Sequence, residues 1–263
     1  MAFAGPGKPL TQKGLEAAAD IVDIPIVSMW AVIQVESSGS GYQPDRRPKI
    51  LFERHLFSRA TGGRFDDTHP GISNPVPGGY GAGGAHQYDR LAEAMELDRK
   101  AALESASWGL GQVLGSNFRV AAFADVDDLV DKMVLSERNQ LLGMFHFIEG
   151  NNLGRHLQNR NWTRFALGYN GPHAEENGYP HKLERAFDAF SQGSPPDIRV
   201  RIAQLALTFL GHNPGGVDGI FGNNSRRALN RFQAAQGLPQ TNQLTDADFT
   251  ALVAKAFGGD LGD

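Results

Sequence analysis

Glu36 is the residue whose type and position are best suited to chemistry. It ends the apolar stretch MWAVIQVE, and on a helical period it shares a face with Met29, Val32 and Ile33. Apolar neighbours disfavour the charged carboxylate and so does the negative end of a helix dipole, so both raise the pKa of Glu36. An acid that keeps its proton near neutral pH can protonate the departing oxygen of a glycosidic bond. The alternative is an exposed side chain at a frayed helix end.

Cleavage of a glycosidic bond by hydrolysis calls for a second carboxylate, which acts as base or nucleophile. Glu53, Asp66 and Asp67 are the candidates for this second catalytic position. Glu53 stands in an apolar stretch, where a charged side chain is unusual unless it is paired. An ion pair with Arg47 or Arg54 is the structural alternative to a catalytic role, and both interpretations of Glu53 stay open.

Other chemistries lack the residues that they need. The chain has no cysteine, which excludes disulfides, thiolate zinc sites and a cysteine nucleophile. No two of the eight histidines are three or four residues apart, and no G-x-S-x-G motif occurs. The glycine-rich stretch 78–84 lacks the Lys-Ser or Lys-Thr of a phosphate loop, and we interpret it as a mobile loop beside a cleft. We therefore predict no metal and no cofactor.

Charge and composition restrict the partners. The 263 residues include 25 Lys plus Arg and 29 Asp plus Glu, for a net charge of −4, and 41% are apolar. This describes a globular protein without a basic surface for nucleic acid. The N-terminus shows no secretory signal, and no apolar stretch is long enough to span a bilayer. We expect a monomer without a membrane anchor, made in the host cytoplasm without a signal peptide.

The chain divides at the run SQGSPP, residues 191–196, where helix-breaking and small polar residues follow a helical pattern. We place domains at 1–191 and 192–263. Apolar residues recur at helical spacing around Ile26 to Ile33, Leu91 to Leu97 and Leu129 to Phe145, whereas alternating patterns are scarce. The larger domain is therefore predicted to be mainly α-helical, with a small hairpin near residues 47–57. Three short helices, the last at Thr245 to Phe257, form the smaller domain.

Three motifs of the larger domain occur in the order and approximate spacing of the lysozyme superfamily. They are ESSG at 36–39, SWGLGQV at 107–113 and YNG at 169–171. They resemble the goose-type lysozyme and lytic transglycosylase branch, where a helix-terminal glutamate is followed by a Gly-Leu-x-Gln turn and a Tyr-Asn pair. More narrowly, the segments 47–55, 72–75 and 169–172 resemble the N-acetylmuramidase domain of phage lysins. The resemblance covers the chain from about residue 10 to about residue 190.

This resemblance implies roles for individual residues. Glu36 becomes the general acid, while Gln112, Tyr169 and Asn170 line the sugar cleft. Trp108 is a further substrate-binding candidate that could equally anchor the core. Each of the others has a structural alternative as well: Gln112 could cap a turn, Tyr169 could belong to the core, and Asn170 could adopt a left-handed turn conformation.

The smaller domain resembles a three-helix peptidoglycan-binding module over about residues 197 to 257. The motifs are GVDGIFG at 216–222, RALNRFQ at 227–233 and the pair Gly237-Leu238. Ser225 stands where that family more often has threonine. Such a module would raise the effective concentration of the catalytic domain at the cell wall. The alternative is a helical appendage that only stabilises the larger domain.

Together the two resemblances imply an endolysin, a peptidoglycan hydrolase for bacterial lysis. It would cleave the β-1,4 bond between N-acetylmuramic acid and N-acetylglucosamine with Glu36 as acid, and it would act on the wall after release from the cytoplasm. Two alternatives stay open. A lytic transglycosylase would use the same glutamate and needs no second carboxylate, because a hydroxyl of the muramic acid itself attacks. A protein that binds the wall without catalysis is the other.

Overall fold

The structure is a computed structural model that describes residues 3–37 and 39–262. Nine helices form the N-terminal part of the described chain: α1 Gln12–Val22, α2 Ile26–Glu36, α3 Arg54–Ala60, α4 Ala85–Glu104, α5 Val126–Leu135, α6 Glu137–Gly150, α7 Gly154–Gln158, α8 Trp162–Asn170 and α9 Tyr179–Gln192. The predicted mainly α-helical, lysozyme-like fold is confirmed.

α2 carries Glu36 and runs through the core. Six consecutive residues, 28–33, are buried, so the middle of the helix is covered on all sides. It packs most extensively against α9 and also contacts α1. The helix ends as predicted at Glu36, and the N–H of Ser37 donates to the carbonyl of Ile33. Burial of the middle of α2 therefore fixes the position of the carboxylate at its end.

The sheet is small, as predicted, but it is not a hairpin within residues 47–57. Its three antiparallel strands are β1 Ile50–Phe52, β2 Ala106–Trp108 and β3 Val113–Leu114, in that order. β1 pairs with β2, which lies more than fifty residues further along the chain, with Leu51 opposite Ser107. The predicted position of the hairpin is wrong, because residues 54–60 fold back as α3 instead of a second strand; β2 and β3 form the hairpin of this sheet.

The apolar pattern from Leu129 to Phe145 is interrupted at Ser136. This residue is extended, and its hydroxyl accepts a hydrogen bond from the N–H of Asn139, which caps the start of α6. The pattern therefore corresponds to two helices, α5 and α6. Because the cap places Glu137 at the first position of α6, this carboxylate lies inside the protein, where it is fully buried.

Three helices form the C-terminal part, as predicted: α10 Ile198–Phe209, α11 Asn223–Ala235 and α12 Asp246–Phe257. Thr245 and Asp248 form a capping box at the start of α12. The hydroxyl of Ser225 accepts a hydrogen bond from Nε2 of Gln204. The other polar atoms of Gln204 organise the turn before α11, because Oε1 accepts from the N–H groups of Asp218 and Gly219.

The C-terminal helices pack on the N-terminal part through a buried ion pair. Arg201 of α10 and Glu137 of α6 are both fully buried, and both terminal nitrogens of the guanidinium group contact the carboxylate. Nη2 of Arg201 also donates to the carbonyl of Gly39, at 2.8 Å. The carboxylate accepts further hydrogen bonds from the N–H groups of Leu10 and Gly41. The contact therefore ties α10 to the segment that follows Glu36.

A cluster of apolar side chains also joins the two parts of the chain. Tyr42 packs with Leu205 and Val217, and the partly buried rings of Phe209 and Phe257 complete the cluster. The predicted boundary at 191/192 lies in the last turn of α9, and α10 begins at residue 198. The short connection and the shared apolar cluster seat the C-terminal helices directly on the rest of the protein.

In the described part of the chain, no single helix is both long and apolar enough to cross a bilayer. α1 and α2 taken together meet the criteria of length and composition, but they are bent by 99° relative to each other.

Candidate active site

The carboxyl group of Glu36 is largely buried, and among the described residues one side chain donates a hydrogen bond to it. Nδ2 of Asn170 donates to Oε2 of Glu36 at 2.7 Å. Oε1 is buried and has no hydrogen-bond partner among the described residues. Burial raises the pKa of Glu36 to about 7, although the Asn170 hydrogen bond and the positive charge of Lys182 act in the opposite direction. Near neutral pH the side chain therefore holds its proton in a large fraction of molecules.

α8 places Asn170 and Tyr169 at its C-terminal end. The next residue, Gly171, has a φ of 84°, and the helix stops there. The hydroxyl of Tyr169 donates to the carbonyl of Gly111 at 2.8 Å, and its ring stacks on Phe165. Burial raises the pKa of Tyr169, so its hydroxyl stays protonated and acts as a donor. Tyr169 thus joins α8 to the turn between β2 and β3.

That turn brings Gln112 beside Glu36. Gln112 has a φ of 47°, and its Nε2 donates to the carbonyls of Gly109, at 2.9 Å, and Lys49, at 3.2 Å. A Cβ on Gly111 would lie 2.6 Å from Cγ of Met144, so only glycine lets the turn approach α6 this closely. Gln112 both caps the turn, as its structural alternative predicted, and exposes its side chain next to the carboxylate.

Two cavities meet at Glu36 and Gln112, and together they form a cleft that passes the carboxylate. One has a volume of about 480 Å³ and is bounded by Gln43, Lys49 and Leu51 on the side of β1. The other, of about 360 Å³, is bounded by Tyr169, Asn170 and Tyr179 on the side of α8 and α9. Glu36 is the only carboxylate that lines either cavity among the described residues. The arrangement suits an extended polymer with the acid near its middle.

Trp108 lies outside this cleft. Its side chain is fully buried, its Nε1 donates to the carbonyl of Leu103, and its ring packs against Phe3. A fully buried ring cannot contact a polysaccharide in the cleft. The substrate-binding role predicted for Trp108 is therefore wrong, and its structural alternative as a core anchor is correct, because β2 turns the ring inward.

Glu53 also lies outside both cavities, although Leu51 lines one of them. It precedes α3, and its Oε2 is 3.8 Å from Nδ1 of His55. The predicted alternative, an ion pair with an arginine, is not found for Arg47, which pairs with Asp45 at 2.7 Å. The geometry thus places Glu53 beside a histidine at the start of a helix.

The other two candidates for the second carboxylate are also absent from the lining of the cleft. Asp66 accepts hydrogen bonds from the hydroxyls of Ser58 and Ser73, which makes it part of a local polar network. Asp67 is exposed on the surface. Among the described residues, no group of three or more histidine, aspartate or glutamate side chains is placed to hold a metal ion.

Several lining residues escaped the sequence analysis. Ser40, Lys49, Asn117, Phe147 and Tyr179 all border the cleft. Lys49 lies in the segment 47–55, but neither that segment nor the surroundings of the other four indicated a position in the cleft. Each of the five comes from a different segment that reaches the cleft only through tertiary packing. Tyr179 is the first residue of α9, the helix that packs on α2. A prediction that α9 packs on α2 would have placed Tyr179 near Glu36.

A lysozyme-like helical fold with one buried acid in an open cleft defines the class of peptidoglycan glycosidases. The family model described as N-acetylmuramidase matches residues 25–191, so the chain belongs to the N-acetylmuramidase family. The model described as “Putative peptidoglycan binding domain” matches residues 197–252.

Among solved structures, the crystal structure of Burkholderia AP3 phage endolysin is similar to this chain at 38% sequence identity. The match covers 70% of this chain and 72% of that one, with a TM-score of 0.67. No curated protein matches the sequence. The combination of a muramidase domain with a peptidoglycan-binding domain is that of a modular phage endolysin.

Proposed function

We propose that Glu36 is the general acid that cleaves the β-1,4 bond between N-acetylmuramic acid and N-acetylglucosamine. The observation that carries this proposal is a carboxyl group with a pKa of about 7 that lines both cavities of one cleft. An acid with this pKa is protonated often enough at neutral pH to donate and is acidic enough to do so readily. Gln112, Tyr169 and Asn170 would bind or orient the sugars around it.

The hydrogen bond from Asn170 supports an assignment of the proton to one of the two oxygens of Glu36. The amide N–H donates to Oε2, so Oε2 serves as the acceptor and the proton resides on Oε1. Oε1 lacks a partner among the residues that the structure describes. A leaving-group oxygen of the glycan would supply that partner, and it would receive the proton as the bond breaks.

Lytic transglycosylation by the same Glu36 is the second candidate. It is favoured by the lining of the cleft, which contains no carboxylate other than Glu36 within the described residues. Hydrolysis requires a group that activates water or forms a glycosyl intermediate, whereas in transglycosylation a hydroxyl of the muramic acid attacks. Mass spectrometry of the released muropeptides separates the two, because hydrolysis yields reducing ends and transglycosylation yields anhydro ends.

The decisive variant is Glu36→Gln, which keeps the shape of the protonated acid but cannot donate an acidic proton. We expect turbidity clearing of permeabilised cells to fall by at least about a hundredfold, since a general acid contributes roughly 10² to 10⁴ in rate. Wall binding in a pull-down should persist. Lysis by E36Q at the wild-type rate would refute the mechanism.

The same role for Glu36 predicts the pH dependence of the wild-type enzyme. Its activity should fall as pH rises through about 7, where Glu36 loses its proton.

Glu53→Gln is the matched control, because it removes a carboxylate that lies outside the cleft. The catalytic role predicted for Glu53 stays a prediction that this variant tests. We expect E53Q to keep most of the lytic activity. A loss comparable to that of E36Q would restore Glu53 as the second carboxylate.

The C-terminal domain would attach the enzyme to peptidoglycan, in agreement with its family match. This leads to bacterial lysis as the biological role. Release of muropeptides from purified walls by the wild-type chain measures this activity directly.

A further inference from the structure

A second groove of about 500 Å³ lies between the two parts of the chain. Its lining includes Val35 of α2, Lys182, Arg185, Ala189 and Phe190 of α9, and Ile220 of the turn before α11. Neither domain forms this groove alone, because α2 and α9 supply one side and the C-terminal turn supplies the other. None of the roles discussed above involves it.

The groove lies next to the cleft that contains Glu36, because neighbouring positions of α2 and α9 line the two. Tyr179 lines that cleft, and Lys182 follows it by one helical turn on α9. Val35, on the other wall, directly precedes Glu36. Since an α-helix rises 1.5 Å per residue, Tyr179 and Phe190 are separated by about 16 Å along α9. A ligand branching from the cleft could therefore follow α9 for that length.

The groove combines an apolar floor with two cations. Lys182 and Arg185 are exposed, and neither forms an ion pair with a carboxylate of the described chain. The acidic residues on the same helix, Glu184 and Asp188, do not line the groove. Ile220 is 53% exposed, which is unusual for a large apolar side chain and leaves it available for contact.

Hydrogen bonds fix the backbone on the side of the groove that contains Ile220. The carbonyl of Ile220 accepts a hydrogen bond from Nε2 of Gln204, and its N–H donates to Oδ1 of Asp218. Gln204 lies on α10, one turn from Arg201, whose buried pair with Glu137 joins α10 to the N-terminal part. The width of the groove is therefore set by the packing of the two domains, and a ligand meets a preformed surface.

We propose that this groove binds the peptide that branches from muramic acid in peptidoglycan. This inference rests on the proposed function, because it requires the glycan strand to occupy the neighbouring cleft. Four to five extended residues span about 13 to 17 Å, which matches the length along α9. Such a peptide carries free carboxylates for Lys182 and Arg185, and its alanine methyl groups suit the apolar floor. The site thus recognises substituted muramic acid rather than bare polysaccharide.

The test compares soluble glycan fragments of one sugar length, either carrying their peptides or stripped of them by an amidase. Affinities for the full-length chain with Glu36→Gln are measured by calorimetry, so that the fragments are not cleaved. We expect the peptide-bearing fragment to bind at least about tenfold more tightly. Arg185→Gln and Ile220→Ala should each reduce this preference several-fold, because a charge-assisted contact and the burial of a large apolar side chain are each worth about tenfold in affinity. Arg59→Gln removes an exposed arginine of α3 and is the matched control, for which the preference should persist.

A second arm uses the free tetrapeptide, which contains no glycosidic bond, and titrates it against the wild-type chain. Its binding should weaken in R185Q and not in R59Q. Equal affinity for stripped and peptide-bearing fragments, or a preference that R185Q and I220A leave unchanged, would overturn the proposal. Failure of the proposed function would give a different result, because E36Q would then still cleave the glycan. The tetrapeptide titration does not depend on the role of Glu36.

Discussion

Glu36 and Asn170 each keep one buried polar atom without a partner. Their shared hydrogen bond uses Oε2 and Nδ2, while Oε1 of Glu36 and Oδ1 of Asn170 have no partner within the described residues. Unsatisfied buried polar atoms cost free energy, typically about 1 to 3 kcal/mol each, and are uncommon in folded proteins. A bound glycan with its hydroxyl and amide groups would satisfy both, which is consistent with a site organised for its substrate.

Asn170→Leu should change the acidity of Glu36. The amide hydrogen bond lowers the pKa of this carboxyl, so its removal raises the pKa and moves the alkaline limb of the activity profile to higher pH. We also expect kcat to fall about tenfold, because the proton is no longer directed to Oε1. The measurement is kcat against pH on soluble glycan. Asn177→Leu, at an exposed asparagine, is the control, and an unmoved limb in N170L would contradict the prediction.

Glu36 should also make stability depend on pH. The folded pKa of about 7 lies above the ordinary value of 4.5, so the protonated acid favours the folded state at low pH, and this contribution is lost as pH rises from about 4.5 through 7. At pH 8 the folded protein bears the cost of a buried carboxylate. We expect E36Q to raise the free energy of unfolding at pH 8 by about 2 to 3 kcal/mol, and by little at pH 4. Urea unfolding at the two pH values measures this, and equal effects at both would contradict it.

At the scale of elements, the site is an intersection of three segments. α2 brings the acid, the end of α8 brings Asn170 and Tyr169, and the turn between β2 and β3 brings Gln112. The hydrogen bond from Tyr169 to the carbonyl of Gly111 joins two of these segments, while α9 packs on α2 and supplies Tyr179. The relative position of these segments, more than any single side chain, determines the shape of the cleft.

Gly111→Ala tests this dependence on the turn. The added Cβ would lie 2.6 Å from Cγ of Met144, so the turn must move away from α6. We expect the variant to lose about 1 to 3 kcal/mol of stability from overpacking and to lose activity as Gln112 shifts. Met144→Ala creates room, so the double variant should be less destabilised than the sum of the two single variants. Urea unfolding of all four proteins in a double-mutant cycle measures the coupling, and strict additivity would show that the contact is not the cause.

At the scale of the whole molecule, the C-terminal domain is seated on the catalytic domain, and its position is therefore fixed relative to the cleft. Arg201 donates hydrogen bonds to Glu137 and to the carbonyl of Gly39. Glu137 also accepts a hydrogen bond from the N–H of Gly41. Residues 39–41 belong to the segment that follows Glu36, and Ser40 borders the cleft. The domain that attaches to the wall is therefore physically connected to the segment beside the acid.

Arg201→Met should strongly destabilise the protein. It leaves the carboxylate of Glu137 buried without its cation, at a cost of about 3 to 5 kcal/mol. Adding Glu137→Gln removes the unpaired charge, and this double variant should recover much of the loss. Arg199→Gln is the control, because it breaks the exposed pair with Asp246 and should cost at most about 1 kcal/mol. Thermal unfolding compares the variants, and R201M unfolding within about 1 kcal/mol of the wild type would refute the buried ion pair.

Local patterns predicted much of this protein correctly. Helical periodicity identified α2 and its end at Glu36, and the three C-terminal helices including the one that follows Thr245. These features depend on side chains within a few residues of one another, since spacing and caps act over one or two turns. The apolar neighbours of Glu36 likewise predicted the direction of its pKa shift. Local information was sufficient wherever the physical cause was itself local.

Contacts between segments that are far apart in the sequence could not be predicted from local patterns and were found only in the tertiary structure. Sequence patterns predicted a hairpin near residues 47–57, whereas β1 pairs with a strand that begins at Ala106, and they left Trp108 undecided between cleft and core. The partner of Arg201 is Glu137, which is 64 residues away. Periodicity reports which face of a segment is apolar, but not which other segment covers it. The direction of the pKa shift of Glu36 could thus be predicted from its neighbours in the chain. Its access to a cleft and the docking of the second domain depend on tertiary packing.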